Sequence, residues 1–445
     1  MSSARGEPVD ILIHARWVIP VEPDACLDGH SLALRDGRIV AVVPRAEAES
    51  RFAAREIVEL PTHALLPGLI NAHTHAAMSL FRGLADDLPL MDWLQNHIWP
   101  AEGKHVSPDF VRDGVRLSVA EMLRSGTTCF SDMYFYPEDT AQVVHEAGIR
   151  ACVGMIMIDF PTGYAGSPEE YLDKGLTLHD RWRNHPLVHT SFAPHAPYTV
   201  SDAPLEKIRT VNNELNRPVH MHVHETAHEV DEAVARTGER PLQRLERLDL
   251  LNPNLVAVHM TQLTPAEIAR VAASGAHVVH CPESNLKLAS GFCPVAALLA
   301  AGVNVALGTD GAASNNDLDM LGELKSAALL AKAVSGDATA LGAHRALRLA
   351  TLNGARALGL EAETGSLVPG KSADLIAIDL HRPATQPVYD PASQVVYAAG
   401  REQVTDVWVA GKRLLSGGRL TTLDEEEILR QAELWRSRIE SVASG

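Results

Sequence analysis

The 445-residue sequence lacks the features that mark disulfide-rich, membrane and secreted proteins. It has no apolar run approaching the roughly 20 residues that a membrane-spanning helix needs. Its first ten residues, MSSARGEPVD, lack the basic and then apolar layout of a signal peptide. We therefore expect a cytoplasmic protein without a membrane partner. Cysteine is rare and forms no C-x-x-C pair, so neither a disulfide framework nor a zinc knuckle is indicated; the cysteines are Cys26, Cys129, Cys152, Cys281 and Cys293.

Positive charge is also scarce. The 39 lysines and arginines face 56 acidic residues, which gives a formal net charge of −17. Because nucleic-acid-binding proteins usually present a basic face, we expect no nucleic-acid partner. The G-x-S-x-G nucleophile elbow and the Walker phosphate-binding loop are absent as well. Histidine is abundant, with 21 residues, so only spacing and position can single out those that bind a metal ion.

Short β-rich runs occur at both ends of the chain, at residues 10–20, 31–44, 372–380 and 404–418. Asp36-Gly37 and residues 410–412 carry hairpin signals. We predict one small β-sandwich domain built from residues 1–63 and 365–445, with an amphipathic helix over residues 425–442.

The middle of the chain, residues 64–364, alternates short apolar runs with stretches of helical spacing. The eight runs are LLPGLINAH, TTCFSDM, RACVGMIMID, LVHTSFAPH, PVHMHVH, LVAVHM, HVVHCPES and NVALGTD. Eight strand–helix units over such a length predict an α/β fold with a (β/α)₈ barrel. The alternative is an open doubly wound sheet, but no glycine-rich dinucleotide fingerprint follows the first run.

Nearly every run starts apolar and ends polar. In a barrel the carboxyl ends of the strands surround the active site, so these end residues are expected to gather there. They are His73 and His75, Asp132, Asp159, His195, His222 and His224, His259, His280, and Asp310.

His73 and His75 lie one residue apart, so in a strand they face the same side and can bind one ion. In PVHMHVHET the histidines at 220, 222 and 224 also share one face, so alternation alone leaves the ligand among them open. His220 lies deeper, where a core role is usual, and His222 lies at the rim.

His259 and Asp310 complete the candidate cluster. A lone histidine such as His259 is more often structural, but here it lies beside a suspected metal site. A buried, unpaired Asp310 would be costly, so it needs a cation or several donors. The alternative is that Asp310 caps the helix that follows.

Three neutral imidazoles and one carboxylate suit zinc or ferrous iron with a position left for water. Such an ion lowers the pKa of its water from about 15.7 toward 7. A base must take the proton of the water and an acid must protonate the group under attack. Asp310 and Glu225 are the candidates for these tasks, with His259 orienting the nucleophile. This pattern predicts metal-assisted hydrolysis.

The motifs PGLINAHTH, HMHVHET, AVHMTQL, CPESNLKLASG and LGTDGAASNN resemble those of the amidohydrolase superfamily. More narrowly, they resemble the branch that holds 5-methylthioadenosine/S-adenosylhomocysteine deaminases and triazine chlorohydrolases. Two-metal members carry a carboxylated lysine at the end of strand four, and LVHTSFAPHAP has none, so one metal ion is implied.

The resemblance implies metal ligation by His73, His75, His222 and Asp310, which settles the choice that alternation left open. Glu225 resembles the glutamate that carries a proton to the ring nitrogen beside the attacked carbon. His259 resembles the histidine that holds and polarises the hydroxide.

The resemblance also implies substrate contacts. MDWLQNHIWPAEGK matches the loop whose glutamate, here Glu102, binds ribose hydroxyls. Trp93 in that loop could simply pack, or cover a purine. His195 in SFAPHAPYTVSD is a further substrate contact, beside Glu225 and Asp310. Roles for His280 and Ser284 stay open.

The function that follows is deamination of an adenine nucleoside. One departure bears on the substrate: members that accept the homocysteine-bearing nucleoside are expected to carry arginines after strand three. Here GMIMIDFPTGYAGSPEEY has no basic residue before Lys174. We therefore hypothesise a preference for 5′-methylthioadenosine or adenosine over S-adenosylhomocysteine.

Two other functions compete with this one. The same mechanism could act on a bare ring, an s-triazine, guanine or pterin, although Glu102 favours a nucleoside. A catalytically inactive barrel would lack a ligand or the proton shuttle, and none is missing. A homodimer or homotetramer is implied by resemblance only.

Overall fold

The computed structural model describes residues 6–443, with side chains through residue 440. The chain begins with strands β1 to β5, interrupted by helix α1. Their bounds are β1 (Glu7–Val18), β2 (Leu27–Asp28), β3 (His30–Arg35), β4 (Arg38–Pro44), α1 (Arg45–Arg51) and β5 (Phe52–Pro67). The predicted turn at Asp36-Gly37 joins β3 to β4, with Arg35 opposite Arg38.

Eight parallel strands follow and lie in chain order around a barrel. Their bounds are β6 (Leu69–Thr74), β7 (Thr127–Asp132), β8 (Arg150–Met157), β9 (Val188–Pro194), β10 (Val219–Val223), β11 (Leu255–His259), β12 (His277–His280) and β13 (Asn304–Leu307). Nearly all of their residues are buried, as expected for a parallel sheet that is covered on both faces. The predicted barrel is confirmed, and the open sheet is excluded.

Helices fill the segments between and after these strands. They are α2 (Leu90–Trp93), α3 (Trp99–His105), α4 (Pro108–Arg124), α5 (Pro137–Ala147), α6 (Pro168–Trp182), α7 (Asp202–Leu215), α8 (Ala227–Thr237), α9 (Pro241–Arg247), α10 (Pro265–Ser274), α11 (Pro282–Lys287), α12 (Val295–Ala300), α13 (Ala312–Asn315), α14 (Met320–Ser335), α15 (Ala343–Leu349) and α16 (Leu352–Ala357). Short 3-10 and π turns cover Ala76–Phe81 and Leu94–Ile98. No helix in the described part of the chain is long and apolar enough to cross a membrane.

The chain then returns to the terminal sheet. The last elements are β14 (Leu375–Asp379), α17 (Pro391–Tyr397), β15 (Val404–Val409), β16 (Lys412–Ser416), β17 (Arg419–Leu420) and α18 (Glu425–Ala443), with a 3-10 turn at Arg401–Gln403. Strands from both ends of the chain form one nine-stranded sheet in the order β17-β16-β15-β14-β5-β1-β3-β4, with β2 beside β1. The two arms of the sheet share an apolar core in which Leu32 and Ile39 belong to the same cluster as Leu375 and Trp408. This confirms the predicted β domain of shared termini.

The division into residues 1–63, 64–364 and 365–445 stays a proposal. Strand β5 runs through the first of these limits and pairs with β14 as far as Pro67 opposite Leu375. Only Gly68 separates β5 from the first barrel strand. A Cβ atom on Gly68 would lie 2.0 Å from Thr128 Oγ1, so the close passage of the chain requires glycine here.

The barrel closes where β13 returns to β6. The Asp310 N–H donates to the His73 carbonyl at 3.0 Å. The Asn71 side chain donates to Thr309 Oγ1 at 2.7 Å and accepts from the Thr309 N–H at 3.0 Å. A Cβ atom on Gly308 would lie 2.8 Å from the His73 backbone, so the two strands approach this closely only with glycine at 308.

A buried ion pair joins the terminal sheet to the barrel. Arg150 at the start of β8 donates from Nε to Asp374 Oδ2 at 2.7 Å and from Nη2 to Oδ1 at 3.2 Å. The Arg150 side chain is 3% exposed and that of Asp374 is fully buried. Burial favours the neutral carboxyl, but Arg150 and the Ala410 N–H hold the pKa of Asp374 below its ordinary value.

Replacing Asp374 by alanine leaves the Arg150 charge buried and unpaired. We expect the free energy of unfolding to fall by about 3–5 kcal/mol. Glu169→Ala is the control, because it breaks an exposed pair with Lys207 and is expected to cost less than about 1 kcal/mol. Urea unfolding of both variants measures the difference, and equal losses would contradict a special role for the buried pair.

Candidate active site

The four predicted metal ligands come together at the carboxyl ends of the barrel strands. His73 lies in β6 and His75 just after it, His222 lies in β10, and Asp310 follows β13. One donor atom from each residue lies within 4.8 Å of the other three. This donor set fits a zinc or ferrous ion that keeps a position for water.

Backbone carbonyls orient two of the imidazoles. His75 Nδ1 donates to the Met133 carbonyl at 2.6 Å, and His222 Nδ1 donates to the His195 carbonyl at 2.8 Å. In the neutral ring each bond places the proton on Nδ1, which leaves the lone pair of Nε2 available at the shared centre. Outer hydrogen bonds of this kind set the tautomer that a metal-binding histidine needs.

The structure separates the three histidines of β10 and its exit. His222 Nε2 lies 3.2 Å from His73 Nε2, inside the cluster. His220 Nε2 lies 2.9 Å from His73 Nδ1, on the far side of that ring. His224, at φ 53°, turns away, and its Nε2 accepts the Leu242 N–H at 3.2 Å. His220 therefore orients a candidate ligand, as a core histidine bonded to a neighbour.

The Asp310 carboxylate is held from both sides. Oδ1 lies 3.2 Å from His73 Nε2 and 3.3 Å from His75 Nε2. Oδ2 accepts from Ser284 Oγ at 2.6 Å and from Ser314 Oγ at 3.0 Å. Burial would raise the pKa of Asp310, but the surrounding histidines hold it well below its ordinary range.

Asp310 does not cap the helix that follows it, which was the alternative to metal binding. Gly311 occupies the N-cap position of α13, and Asp310 Oδ1 accepts the Gly311 N–H at 2.8 Å. Asp310 itself has φ 63°, a conformation that non-glycine residues rarely adopt. Such strain concentrates at functional sites, and here it accompanies the turn that directs the carboxylate toward the histidines.

Glu225 and His259 lie beside the cluster. His259, at φ 76°, lies at the end of β11, where Nδ1 donates to Asn285 Oδ1 at 2.8 Å. Its Nε2 lies 3.8 Å from Glu225 Oε2. Burial, with repulsion from the Asp310 carboxylate, raises the pKa of Glu225 to about 8. A carboxyl with such a pKa can both give and take a proton near neutral pH.

Glu229 is a buried acid that the sequence reasoning missed. Its carboxylate accepts the His224 N–H at 3.1 Å and the Glu225 N–H at 2.7 Å. These bonds fix the backbone that carries Glu225. Burial raises the pKa of Glu229 to about 7. The available signal was its position in the first turn of α8, where Thr226 caps the Glu229 N–H, but that position is equally typical of a surface acid.

The remaining predicted site residues line one cleft above the cluster. Glu102 accepts from the Tyr134 hydroxyl at 2.7 Å, and burial raises the pKa of Glu102 to about 7. Trp93 is 5% exposed and lies in the wall of the cleft. His195 lines the cleft as well, with Nδ1 2.9 Å from Thr199 Oγ1. Tyr134, which sequence reasoning missed, is the partner that holds Glu102.

Not every polar strand end contributes to the cleft. Asp132 accepts the Ala76 N–H at 2.8 Å, and Asp159 accepts the Ser201 N–H at 2.8 Å, so both fix local backbone. His280 is buried but lies outside the described cleft lining. Ser284, left open by the sequence, contacts the carboxylate of Asp310.

Comparison with known proteins identifies the family of the chain. The profile of the Amidohydrolase family covers residues 64–414. The chain belongs to the Amidohydrolase family. This confirms the family predicted from the motifs. It also agrees with the fold of this amidohydrolase, a (β/α)₈ barrel beside a sheet formed by both ends of the chain.

Individual relatives share nearly the whole chain. A 5-methylthioadenosine/S-adenosylhomocysteine deaminase of Teredinibacter turnerae is 52% identical over 97% of this chain and 98% of its own. The crystal structure of an adenosine deaminase from Xanthomonas campestris, with bound zinc, is 55% identical, with TM-score 0.97 over 98% of this chain and 100% of that one. An atrazine chlorohydrolase from Arthrobacter aurescens complexed with zinc is 23% identical, with TM-score 0.89 over 96% and 100%. That last likeness shows the fold alone.

Removal of one cluster imidazole tests the site. We expect His222→Ala to lose one equivalent of tightly bound metal, with an affinity more than about 100-fold weaker, since even indirect partners of metal ligands are worth 10–100-fold. His228→Ala, on the exposed face of α8, is the control and should keep its metal. Metal analysis of the untagged protein after dialysis makes the measurement, and unchanged metal content in His222→Ala would contradict the assignment.

Proposed function

We propose that this amidohydrolase hydrolyses the 6-amino group of an adenine nucleoside and releases ammonia and the inosine analogue. The observation that carries the proposal is that one cleft is lined by three members of the four-ligand cluster together with the proton carrier Glu225 and the carboxylate of Glu102. The cluster members in the lining are His75, His222 and Asp310. The deaminase names of relatives at 52% and 55% identity support the same reaction.

His73, His75, His222 and Asp310 would hold one divalent ion, and zinc is proposed because the Xanthomonas campestris relative binds it. When bound, such an ion supplies an acidified water as the nucleophile at neutral pH. Ferrous iron suits the same donors.

Different residues of this chain carry out the separate proton transfers. Asp310 accepts the proton of the attacking water, and His259, anchored by Asn285, orients that water toward C6. Glu225 donates a proton to N1 of the ring, which allows the carbon beside it to be attacked. Its raised pKa leaves a proton available for that transfer. The proton held by Asp310 then passes to the amino group, the C6–N bond breaks and ammonia leaves. The new hydroxyl on C6 returns a proton to Glu225 and becomes the carbonyl of the inosine analogue.

Glu102 and its neighbours would bind the sugar and the base. The Tyr134 hydroxyl holds the Glu102 carboxylate where it accepts the ribose hydroxyls. Trp93 covers the purine, and His195, fixed by Thr199, is a further contact. A bare triazine, guanine or pterin would leave Glu102 without a partner, which is why the nucleoside is favoured.

The cleft favours a substrate with a thioether or a hydroxyl at the 5′ position. Aromatic side chains of Trp99, Phe160 and Tyr164 line it, and no lysine or arginine is among its described lining residues. Lys174, the first basic residue after β8, pairs with Glu170 at 2.8 Å and donates to the Tyr164 carbonyl. The homocysteine carboxylate of S-adenosylhomocysteine would therefore lie against aromatic side chains with no cation beside it.

Substitution of the proton carrier tests the reaction. We expect Glu225→Gln to abolish ammonia release from 5′-methylthioadenosine, because the amide cannot transfer a proton, while the metal content stays unchanged. Glu232→Gln, the same change on the exposed face of α8, is the control and should keep full activity. Turnover is measured on 5′-methylthioadenosine, S-adenosylhomocysteine, adenosine, guanine and a chlorotriazine. Activity on a bare ring alone would overturn the role of Glu102, and an active Glu225→Gln enzyme would overturn the mechanism.

Steady-state kinetics tests the preference for 5′-methylthioadenosine over S-adenosylhomocysteine. An unpaired carboxylate in a closed site costs several kcal/mol, so we expect kcat/KM for 5′-methylthioadenosine to exceed that for S-adenosylhomocysteine by about 100-fold or more. Adenosine, which lacks the carboxylate, serves as the control and should stay closer to the better substrate. Comparable values for the two thio substrates would refute the preference.

Cytoplasmic location and a homo-oligomeric state stay predictions.

A further inference from the structure

A second cluster of metal-binding side-chain types lies outside the lining of the cleft. It consists of Cys26, His344 and Asp390, whose donor atoms all lie within 4.8 Å of one another. Cys26 ends the segment between β1 and β2, His344 lies in the first turn of α15, and Asp390 precedes α17. Three distant parts of the chain thus bring a sulfur, a nitrogen and an oxygen ligand to one place.

The spacing of these atoms suits a single ion. Cys26 Sγ lies 3.9 Å from His344 Nε2. A tetrahedral zinc ion with bonds of about 2.3 Å to sulfur and about 2.0 Å to nitrogen separates such ligands by roughly 3.6 Å. Only a few tenths of an ångström therefore distinguish the observed separation from that of a coordinated pair.

His344 is already oriented for ligation. Its Nδ1 lies 2.7 Å from Asp24 Oδ1, so this nitrogen donates its proton to the carboxylate. The free lone pair of Nε2 then faces Cys26. A carboxylate behind a ligating histidine is the usual outer support of a zinc site.

Asp390 is fixed in direction as well. Its Oδ1 accepts the backbone N–H groups of Ala392 and Ser393 at 2.9 and 3.4 Å, at the N-cap of α17. The carboxylates of Asp24 and Asp390 at this place would attract a divalent cation, and such a cation deprotonates a thiol that coordinates it.

We propose that Cys26, His344 and Asp390 form a second site for a thiophilic divalent ion such as zinc, with water completing the coordination. The ion links the segment after β1 to α15 and α17, so its role is structural. The site is separate from the barrel cluster and does not depend on the proposed function.

Cobalt distinguishes the two sites because the barrel cluster contains no sulfur ligand. A thiolate-to-cobalt charge-transfer band in the near ultraviolet therefore reports Cys26 alone. We expect the untagged full-length protein to bind two equivalents of Co²⁺, with the band accompanying one of them. Cys26→Ser should bind one equivalent and show no band, and His344→Gln should weaken the band-forming site at least 10-fold while the thiol remains.

Cys293→Ala is the matched control, because it removes a buried cysteine that belongs to neither cluster, and it should behave like the unaltered protein. Circular dichroism shows that each variant is folded. A charge-transfer band that survives in Cys26→Ser overturns the proposal. So does a band that is absent from the unaltered protein at stoichiometric cobalt, or one that forms only in large excess of metal.

Discussion

The contact between β13 and β6 is the constraint on which the rest of the structure depends. The Asp310 N–H bonds the His73 carbonyl, and the Asn71 side chain bonds Thr309, so the last barrel strand is held in register with the first. That register brings the Asp310 carboxylate to two histidines that belong to the start of the barrel. Closure of the fold and assembly of the candidate metal cluster are therefore one event.

The acids around the cleft are kept in different protonation states by their surroundings. Asp310, among histidines, stays ionised, whereas burial without a cation raises the pKa values of Glu225, Glu229 and Glu102 toward or above neutrality. A bound cation would further favour the ionised form of Asp310, and it would shift the pKa values of the three glutamates. Environment rather than residue type thus separates a ligand from a proton carrier.

Much of this arrangement could be predicted from the sequence because it depends on local periodicity. The eight apolar runs, the Asp36-Gly37 turn and the pair His73 and His75 are all signals carried by neighbouring residues. Contacts between distant segments carry no such signal. The bond from Tyr134 to Glu102 and the support of Glu225 by Glu229 depend on how loops approach in three dimensions.

The path of the chain through the terminal sheet has a consequence for its synthesis. Strand β5 is complete at Pro67, but its neighbour β14, which begins at Leu375, leaves the ribosome only after the whole barrel. Until then one long edge of the sheet is open, with unpaired backbone groups that can pair with another chain. Domains generally fold in order of synthesis, so this edge is exposed for most of translation. A holdase chaperone could cover that edge until β14 is synthesised, and a nascent chain that stalled before then would be prone to aggregate through β5.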